Sequence, residues 1–144
     1  MKNKEAMFVF VNPRRRYSRL NIWRYINPVI PPIGLAVLAA TLEEQGVSVQ
    51  IIDAHAEQLS DIDILKRVGN PLYIGITSTT PEIGEAKRLS KLFRESLPRT
   101  KIIMGGVHPT VEHVALIEDG SCDAVVRGEG ELPVTYIAQG VHWS

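Results

Sequence analysis

Five short apolar runs, each followed by a helical pattern, constrain this chain most strongly. The runs show no polar alternation, which is typical of strands covered on both faces of a sheet. Strands are predicted at 7–11, 47–52, 72–76, 101–104 and 123–127, and helices at 34–45, 61–68, 81–97 and 110–118, with a fifth helix opening at 128–131. This alternation predicts an α/β fold with a doubly wound parallel sheet and helices on both faces. Right-handed crossovers and five such units favour the flavodoxin-like order 2-1-3-4-5.

The composition limits the classes of partner and compartment. A length of 144 residues fits one domain covering 1–144. Lys and Arg total 16, as do Asp and Glu, so charge gives no general argument for a nucleic acid or an anionic membrane as a partner. The single cysteine, Cys122, excludes an internal disulfide. Because no apolar run reaches the length of a membrane span and the start lacks a secretory pattern, the sequence predicts a cytoplasmic protein.

The turn after the fourth strand is the clearest candidate for a binding element. Gly105 and Gly106 follow an apolar run, and Val107, His108 and Pro109 follow them. A glycine pair at a strand end permits positive φ and lets a ligand approach the backbone with no Cβ in the way. In doubly wound sheets, ligands bind outside the carboxyl ends of the strands, at the switch point between the first and third strands. The loops at 12–32, 77–81, 105–110 and 127–131 are expected to share that edge.

Other loops at this edge carry weaker signals. Four consecutive hydroxyl side chains, at 77–80, can hydrogen-bond a polar ligand or cap the following helix, and capping is expected for any single one. Gly128, Glu129 and Gly130 resemble half of a glycine fingerprint, but Pro133 stands where a third glycine should be. The first strand is followed by neither a G-x-G-x-x-G nor a Walker lysine. The sequence therefore disfavours dinucleotide or nucleoside triphosphate binding in the usual place.

The long loop after the first strand is basic and aromatic. Its charged and ring side chains are Arg14, Arg15, Arg16, Arg19, Arg24, Tyr17, Trp23 and Tyr25. Such a mixture can bind nucleic acid by pairing with phosphates and stacking on bases. With no net charge on the chain, we favour instead a segment that folds over a cofactor or against a neighbouring domain.

The histidines offer two candidates. His55 lies in Asp-Ala-His-Ala, which resembles the start of a cobalamin-ligand motif, D-x-H-x-x-G. However, Gln58 stands where the motif has glycine, and the segment follows the second strand instead of the first. We therefore favour His55 as a polar loop residue over a cobalt ligand. His108 either contacts a ligand or caps its own helix, and both interpretations stay open. No two histidines and a carboxylate show metal-ligand spacing on one element, so no metal site made by the protein alone is predicted.

Taken in order, these segments resemble the N-terminal cobalamin-binding domain of cobalamin-dependent radical SAM enzymes. That family includes methyltransferases and the anaerobic magnesium-protoporphyrin monomethyl ester oxidative cyclases. The matching segments are 31–44, 51–54, 75–80, 104–110 and 126–131, and the resemblance extends from Met7 to about Ile137.

The resemblance implies that cobalamin lies across the carboxyl ends of the strands, with its nucleotide tail beside the third and fourth strands. Ser78 and Thr80 would hydrogen-bond this tail, and the glycine pair would mark the closest approach of backbone to it. The segment 128–130 would close the far side. The cofactor-binding residues are then Thr77, Ser78, Thr79, Thr80, Gly105, Gly106, Val107, His108, Gly128, Glu129 and Gly130.

The resemblance also implies what the chain does not supply. The first-strand loop has no histidine, so cobalamin would bind without an imidazole ligand from that loop. The C-x-x-x-C-x-x-C motif for a 4Fe-4S cluster and S-adenosylmethionine is missing. Those cofactors would belong to a radical SAM domain of the same polypeptide, and no catalytic residue is assigned to this chain.

Residues 139–144 carry no helix stop, which predicts that the chain is a fragment of a longer one. One alternative is a vestigial domain that binds no corrinoid and serves substrate docking or subunit contact. A nucleotide-binding or receiver-like domain is a weaker alternative. For a receiver, Asn12 and Arg127 occupy the places where acids and a lysine are needed.

Overall fold

A five-stranded parallel sheet lies at the centre of the structure, a computed structural model that describes residues 7–15 and 30–140. The strands are Phe8–Asn12 (β1), Val49–Asp53 (β2), Tyr73–Thr77 (β3), Lys101–Gly105 (β4) and Ala124–Val126 (β5). Their order in the sheet is β2-β1-β3-β4-β5, and each neighbouring pair is parallel. The predicted fold class and strand order are confirmed.

Helices cover both faces of this sheet. They are Ile33–Glu44 (α1), Asp61–Val68 (α2), Ile83–Ser96 (α3), Val107–Val111 (α4), His113–Glu118 (α5) and Glu131–Ala138 (α6). Apolar residues of α1 and α6 pack with one face of the sheet, and those of α2, α3 and α5 pack with the other. The two apolar layers explain why the central strands read as continuous apolar runs.

Local signals placed two helix ends correctly. The helix α2 has the predicted bounds because the Ser60 hydroxyl accepts from the backbone N–H of Asp63, whose carboxylate accepts from Ser60 in return. After α1, Gly46 adopts φ 76°, the left-handed conformation expected of a glycine just beyond a helix end.

The predicted fourth helix, at 110–118, is wrong in its start and in its continuity. The chain enters α4 at Val107, directly after Gly106, and the helical path breaks at Glu112 before α5 begins. Gly106 adopts φ 104°, which turns the strand straight into the helix. Pro109 occupies the first turn of α4, where the missing backbone N–H costs nothing. The sequence suggested a later start because its glycines and proline read as a loop.

The edge strand β2 departs from the expectation of strands covered on both faces. Ile51 of β2 is 36% exposed, whereas the side chains of β1 from Phe8 to Val11 are buried. A strand at the sheet edge has a neighbour on one side only, so helices cover it less completely. Cys122 is buried just before β5, and burial raises the pKa of its thiol to about 11. No helix within the described ranges is both long and apolar enough to span a bilayer.

Candidate cofactor-binding site

A cleft of about 410 Å³ opens at the carboxyl ends of the central strands. It lies at the switch point, because the chain leaves β1 for a helix on one face of the sheet and leaves β3 for a helix on the other. From there it continues between the sheet and the layer of α1 and α6. Such a volume falls in the range of small-molecule sites, about 300–1,000 Å³.

The floor of the cleft is apolar, and glycine shapes it. A Cβ at Gly75 of β3 would lie 2.6 Å from Cδ1 of Phe10, so the ring of Phe10 can lie over β3 only because Gly75 has no side chain. Phe10 in turn packs on Phe8, with ring centroids 4.9 Å apart. A Cβ at Gly130 would lie 2.9 Å from Cδ2 of Leu38, so glycine also permits the start of α6 to approach α1. The apolar lining comprises Phe8, Phe10, Ile30, Pro32, Leu35, Leu38, Ile76, Ile103, Val126 and Val134.

One wall of the cleft is polar and internally bonded. Glu82 accepts a hydrogen bond from Nε of Arg15, and both side chains line the cleft. The second carboxylate oxygen of Glu82 accepts from the backbone N–H of Thr79 at 3.0 Å and from its hydroxyl at 2.8 Å. At the end of β1, Asn12 donates to Oδ1 of Asp53 at 2.9 Å. These contacts fix the strand ends at the switch point.

The hydrogen bonds at Glu82 keep it ionised. Burial by itself raises the pKa of Glu82, but the hydrogen bonds from Arg15 and Thr79 outweigh burial and hold the pKa below its usual value of 4.5. The ionised form is therefore favoured by folding. Its contribution to stability is complete above the unfolded pKa and is lost as the pH falls through the lower, folded value.

We expect Glu82→Gln to lower the free energy of unfolding by about 1–2 kcal/mol at pH 7, allowing for screening at the partly exposed Arg15. The difference from the parent should be constant above about pH 5 and shrink below pH 4.5. Denaturant titrations at pH 7, 5 and 3 measure it. The control Glu57→Gln breaks an exposed pair with Arg67 and should change stability by less than about 0.5 kcal/mol. A pH-independent difference at Glu82 would contradict the assignment.

Seven of the eleven predicted site residues line the cleft. These are Thr77, Thr79, Gly105, Gly106, Gly128, Glu129 and Gly130. Thr79 also caps the turn that follows it, through its hydrogen bonds with Glu82. The capping expected of a single hydroxyl in this loop is therefore found at Thr79.

The other four predicted residues lie beside the lining rather than in it. Ser78 is buried, and its hydroxyl has no hydrogen-bond partner within the described part of the chain. Thr80 is exposed and lies 3.3 Å from Nδ1 of His108, measured from its Oγ1. Val107 is 68% exposed on α4. A role for these residues in binding stays a prediction.

The two adjacent glycines differ in what requires them. A Cβ at Gly106 would lie 2.8 Å from the carbonyl oxygen of Ser78 and 3.0 Å from Oγ1 of Thr77, in addition to the positive φ. A Cβ at Gly105 would make only ordinary contacts, the nearest at 3.7 Å from the Val126 carbonyl oxygen. Gly106 is therefore required by the packing of β4 against the loop after β3.

Sequence reasoning assigned Arg15 only a general role, in a loop that folds over a cofactor or a neighbouring domain. It did not include Asn12, His55, Glu82 or Glu131 among the cofactor contacts, although they line the cleft. It also did not predict the apolar slot. One signal was available for the slot, since a glycine inside an apolar strand, as at Gly75, marks a place of close approach. The predicted role of the aromatic residues Tyr17, Trp23 and Tyr25 falls outside the described residues, as do Arg16, Arg19 and Arg24. Across the described ranges, no three His, Cys, Asp or Glu side chains are grouped to hold a metal ion.

A protein-family model matches most of this chain. The model of the B12 binding domain matches residues 23–138. The chain belongs to the B12-binding domain family. The match includes every residue proposed from the resemblance as a cofactor contact, and it confirms the family resemblance to cobalamin-binding domains.

Two relatives of this B12-binding domain are longer proteins. An uncharacterised methyltransferase of Pyrococcus horikoshii is 39% identical over 114 residues, which are 77% of this chain and 25% of that protein. An anaerobic magnesium-protoporphyrin IX monomethyl ester cyclase of Synechocystis is 36% identical over 110 residues, which are 73% of this chain and 22% of that protein. The chain thus spans about a quarter of the length of the relatives it matches.

The fold is also that of a solved cobalamin-binding protein. The crystal structure of a novel cobalamin-binding protein from Desulfitobacterium hafniense superposes with a TM-score of 0.65 at 17% identity, covering 96% of this B12-binding domain and 60% of that chain. At this identity the likeness shows a shared fold.

Proposed function

We propose that this domain binds cobalamin at the carboxyl ends of its strands, with the nucleotide tail of the cofactor in the apolar cleft. The observation that carries the proposal is the coincidence of the family match with a cleft at the switch point. The cleft runs over Gly75 of β3 and over Ile103 and Gly105 of β4, which is the course that the resemblance implies for the tail.

The residues present fit such a ligand. An aromatic base needs an apolar slot, and the slot between the sheet and α1 is floored by Phe8 and Phe10. Its phosphate needs a hydrogen-bond donor, which the hydroxyl of Thr77 can supply, and its sugar and amide groups can donate to Thr79 and to the ionised Glu82. All three residues line the cleft. The buried hydroxyl of Ser78 also lacks a partner in the described chain, so it is available to a ligand that reaches it.

When bound, cobalamin supplies a cobalt centre that can carry a methyl group or an electron. The role of this chain is to bind and orient the cofactor, and the loop at 12–32 offers no imidazole to cobalt because it contains no histidine. The bonded wall formed by Arg15, Glu82 and Thr79 would hold the strand ends in place around the cofactor. A wall whose polar groups are already bonded needs no rearrangement to receive a ligand.

The chain, mixed with hydroxocobalamin and then desalted, should retain a corrinoid absorbance close to one equivalent. Isothermal titration with the same cofactor gives the dissociation constant. Binding should saturate at one cofactor per chain, which distinguishes a specific site from nonspecific adsorption. A colourless protein after desalting, together with no heat of binding in the titration, would contradict the proposal that the domain binds cobalamin.

We further propose that the domain presents cobalamin to a radical SAM domain of the same polypeptide, for methyl transfer or oxidative cyclisation. The support is that its relatives are a methyltransferase and a cyclase of which it spans about a quarter. That further domain would bind the 4Fe-4S cluster and S-adenosylmethionine. Iron and sulfide analysis of the anaerobically purified full-length protein tests this, and four irons per chain are expected.

A second candidate is a domain of the same fold that binds no corrinoid and contacts the remainder of a longer polypeptide. Exposed apolar side chains on α1 and α6 support this candidate, because they form a surface that another domain could cover. On α1, Ile33 is 68% and Val37 is 43% exposed; on α6, Leu132 is 66% and Tyr136 is 50% exposed. A helix that is apolar on both sides, as α1 is, normally has both sides covered. The desalting experiment separates the candidates, because only the first retains colour.

A further inference from the structure

We propose, building on the cobalamin site above, that His55 donates a hydrogen bond to the bound cofactor through Nε2 and is not a ligand of cobalt. The residue lines the cleft from the turn after β2, and it is not among the cofactor contacts that the resemblance to cobalamin-binding domains implied. The cofactor group it would recognise is an acceptor oxygen, either a carbonyl of a corrin side-chain amide or a phosphate oxygen of the nucleotide tail.

The turn that carries His55 is anchored to the end of β1. The backbone N–H of Ala54 donates to the carbonyl of Asn12 at 3.1 Å. Oδ1 of Asp53 accepts from the side chain of Asn12 at 2.9 Å and from the backbone N–H of Ala56 at 3.0 Å. His55 is therefore held at the switch point by contacts on both sides of it in the sequence, which is a position set by the fold.

The hydrogen bond on its ring decides which nitrogen carries the proton. Nδ1 of His55 accepts from the backbone N–H of Arg15 at 3.2 Å. A ring nitrogen that accepts a hydrogen bond has no proton, so the neutral imidazole carries its proton on Nε2. The group that His55 can offer to a ligand is then an N–H donor.

A cobalt ligand requires the opposite arrangement. A histidine that binds a metal through one nitrogen has a free lone pair there and donates its other N–H to a carboxylate or carbonyl. In His55 the lone pair of Nδ1 is engaged by Arg15, and Nε2 is protonated. The likeness of Asp53-Ala54-His55 to a cobalt-ligand motif therefore does not extend to the hydrogen bonding that such a ligand needs.

Affinity measurements test the donor role. His55→Ala should weaken binding of hydroxocobalamin about 3- to 10-fold if the acceptor is an amide carbonyl, and more than about tenfold if it is a charged phosphate oxygen. His55→Gln, whose amide can place an N–H near the position of Nε2, should bind within about threefold of the parent. Ala56→Ser lies on the same turn, outside the lining of the cleft, and should bind like the parent. Equal affinity of the parent and His55→Ala would overturn the proposal.

Dicyanocobinamide, which lacks the nucleotide and its phosphate, identifies the acceptor. If the loss caused by His55→Ala persists with this probe, the partner is a corrin amide. If the loss disappears, the partner is the phosphate of the tail. A parent chain that binds neither corrinoid would instead remove the proposed function, and the donor role with it.

Electron paramagnetic resonance separates the donor from the ligand. With ¹⁵N-labelled chain and unlabelled cob(II)alamin, a protein imidazole on cobalt would split the lines into doublets, whereas the benzimidazole of the cofactor would split them into triplets. We expect no doublet in the parent and no change of splitting in His55→Ala. A doublet that is present in the parent and lost in His55→Ala would show that His55 ligates cobalt.

Discussion

Replacing Gly106 by valine is expected to lower the free energy of unfolding by about 2–5 kcal/mol. A non-glycine residue at φ 104° costs on the order of 1–3 kcal/mol, and overpacking adds about 1–3 kcal/mol. The added Cβ would lie 2.8 Å from the carbonyl oxygen of Ser78, a backbone atom that accepts a hydrogen bond from the N–H of His108. Denaturant unfolding monitored by circular dichroism measures the loss.

The neighbouring glycine provides a matched control. Gly105→Ala places its Cβ 3.7 Å from the carbonyl oxygen of Val126, an ordinary contact, and stability should change by about 1 kcal/mol or less. If both variants lost stability equally, the explanation for Gly106 by its packing on Ser78 would be wrong. If neither did, the turn from β4 into α4 would not have the geometry described.

Replacing Leu38 by tryptophan is expected to reduce cobalamin affinity at least about tenfold, which is 1.4 kcal/mol or more. Leu38 lines the slot between α1 and the sheet, and a larger ring there would occupy space proposed for the nucleotide tail. Because Leu38 also packs against Gly130 at the start of α6, the larger ring costs stability as well, and we expect the free energy of unfolding to fall by about 1–3 kcal/mol. Titration of the folded variant with hydroxocobalamin measures the affinity.

A tryptophan on the other side of the same helix controls for the substitution. Val37 is 43% exposed and does not line the cleft, so Val37→Trp should bind cobalamin like the parent. A Leu38→Trp variant that binds as tightly as Val37→Trp would mean that the tail does not enter the slot. A variant that binds cobinamide normally but cobalamin weakly would assign the slot to the nucleotide.

The sequence was informative wherever a signal was local. Helix α2 could be bounded at 61–68 because Gly69 directly follows its helical pattern, and the structure adds a cap at its start, formed by Ser60 and Asp63. The start of α4 could not be predicted, because Gly106 and Pro109 are equally compatible with a loop. The turn into α4 is determined by the contact of Gly106 with Ser78, which only the structure shows. The described parts of the loops assigned to the sheet edge line one cleft there, since parallel strands bring all their carboxyl ends to one side.

The sequence by itself determined the order of strands and helices, the parallel sheet and the edge that carries the cleft, because apolar periodicity and right-handed crossovers leave few alternatives. Only the tertiary structure decided the form of the site. The pairing of Arg15 with Glu82 and the hydrogen bond from Arg15 to His55 join residues 67 and 40 positions apart. The depth of the slot depends on how a ring at Phe10 lies over Gly75. Such contacts join residues that are distant in the sequence, so no local sequence pattern encodes them.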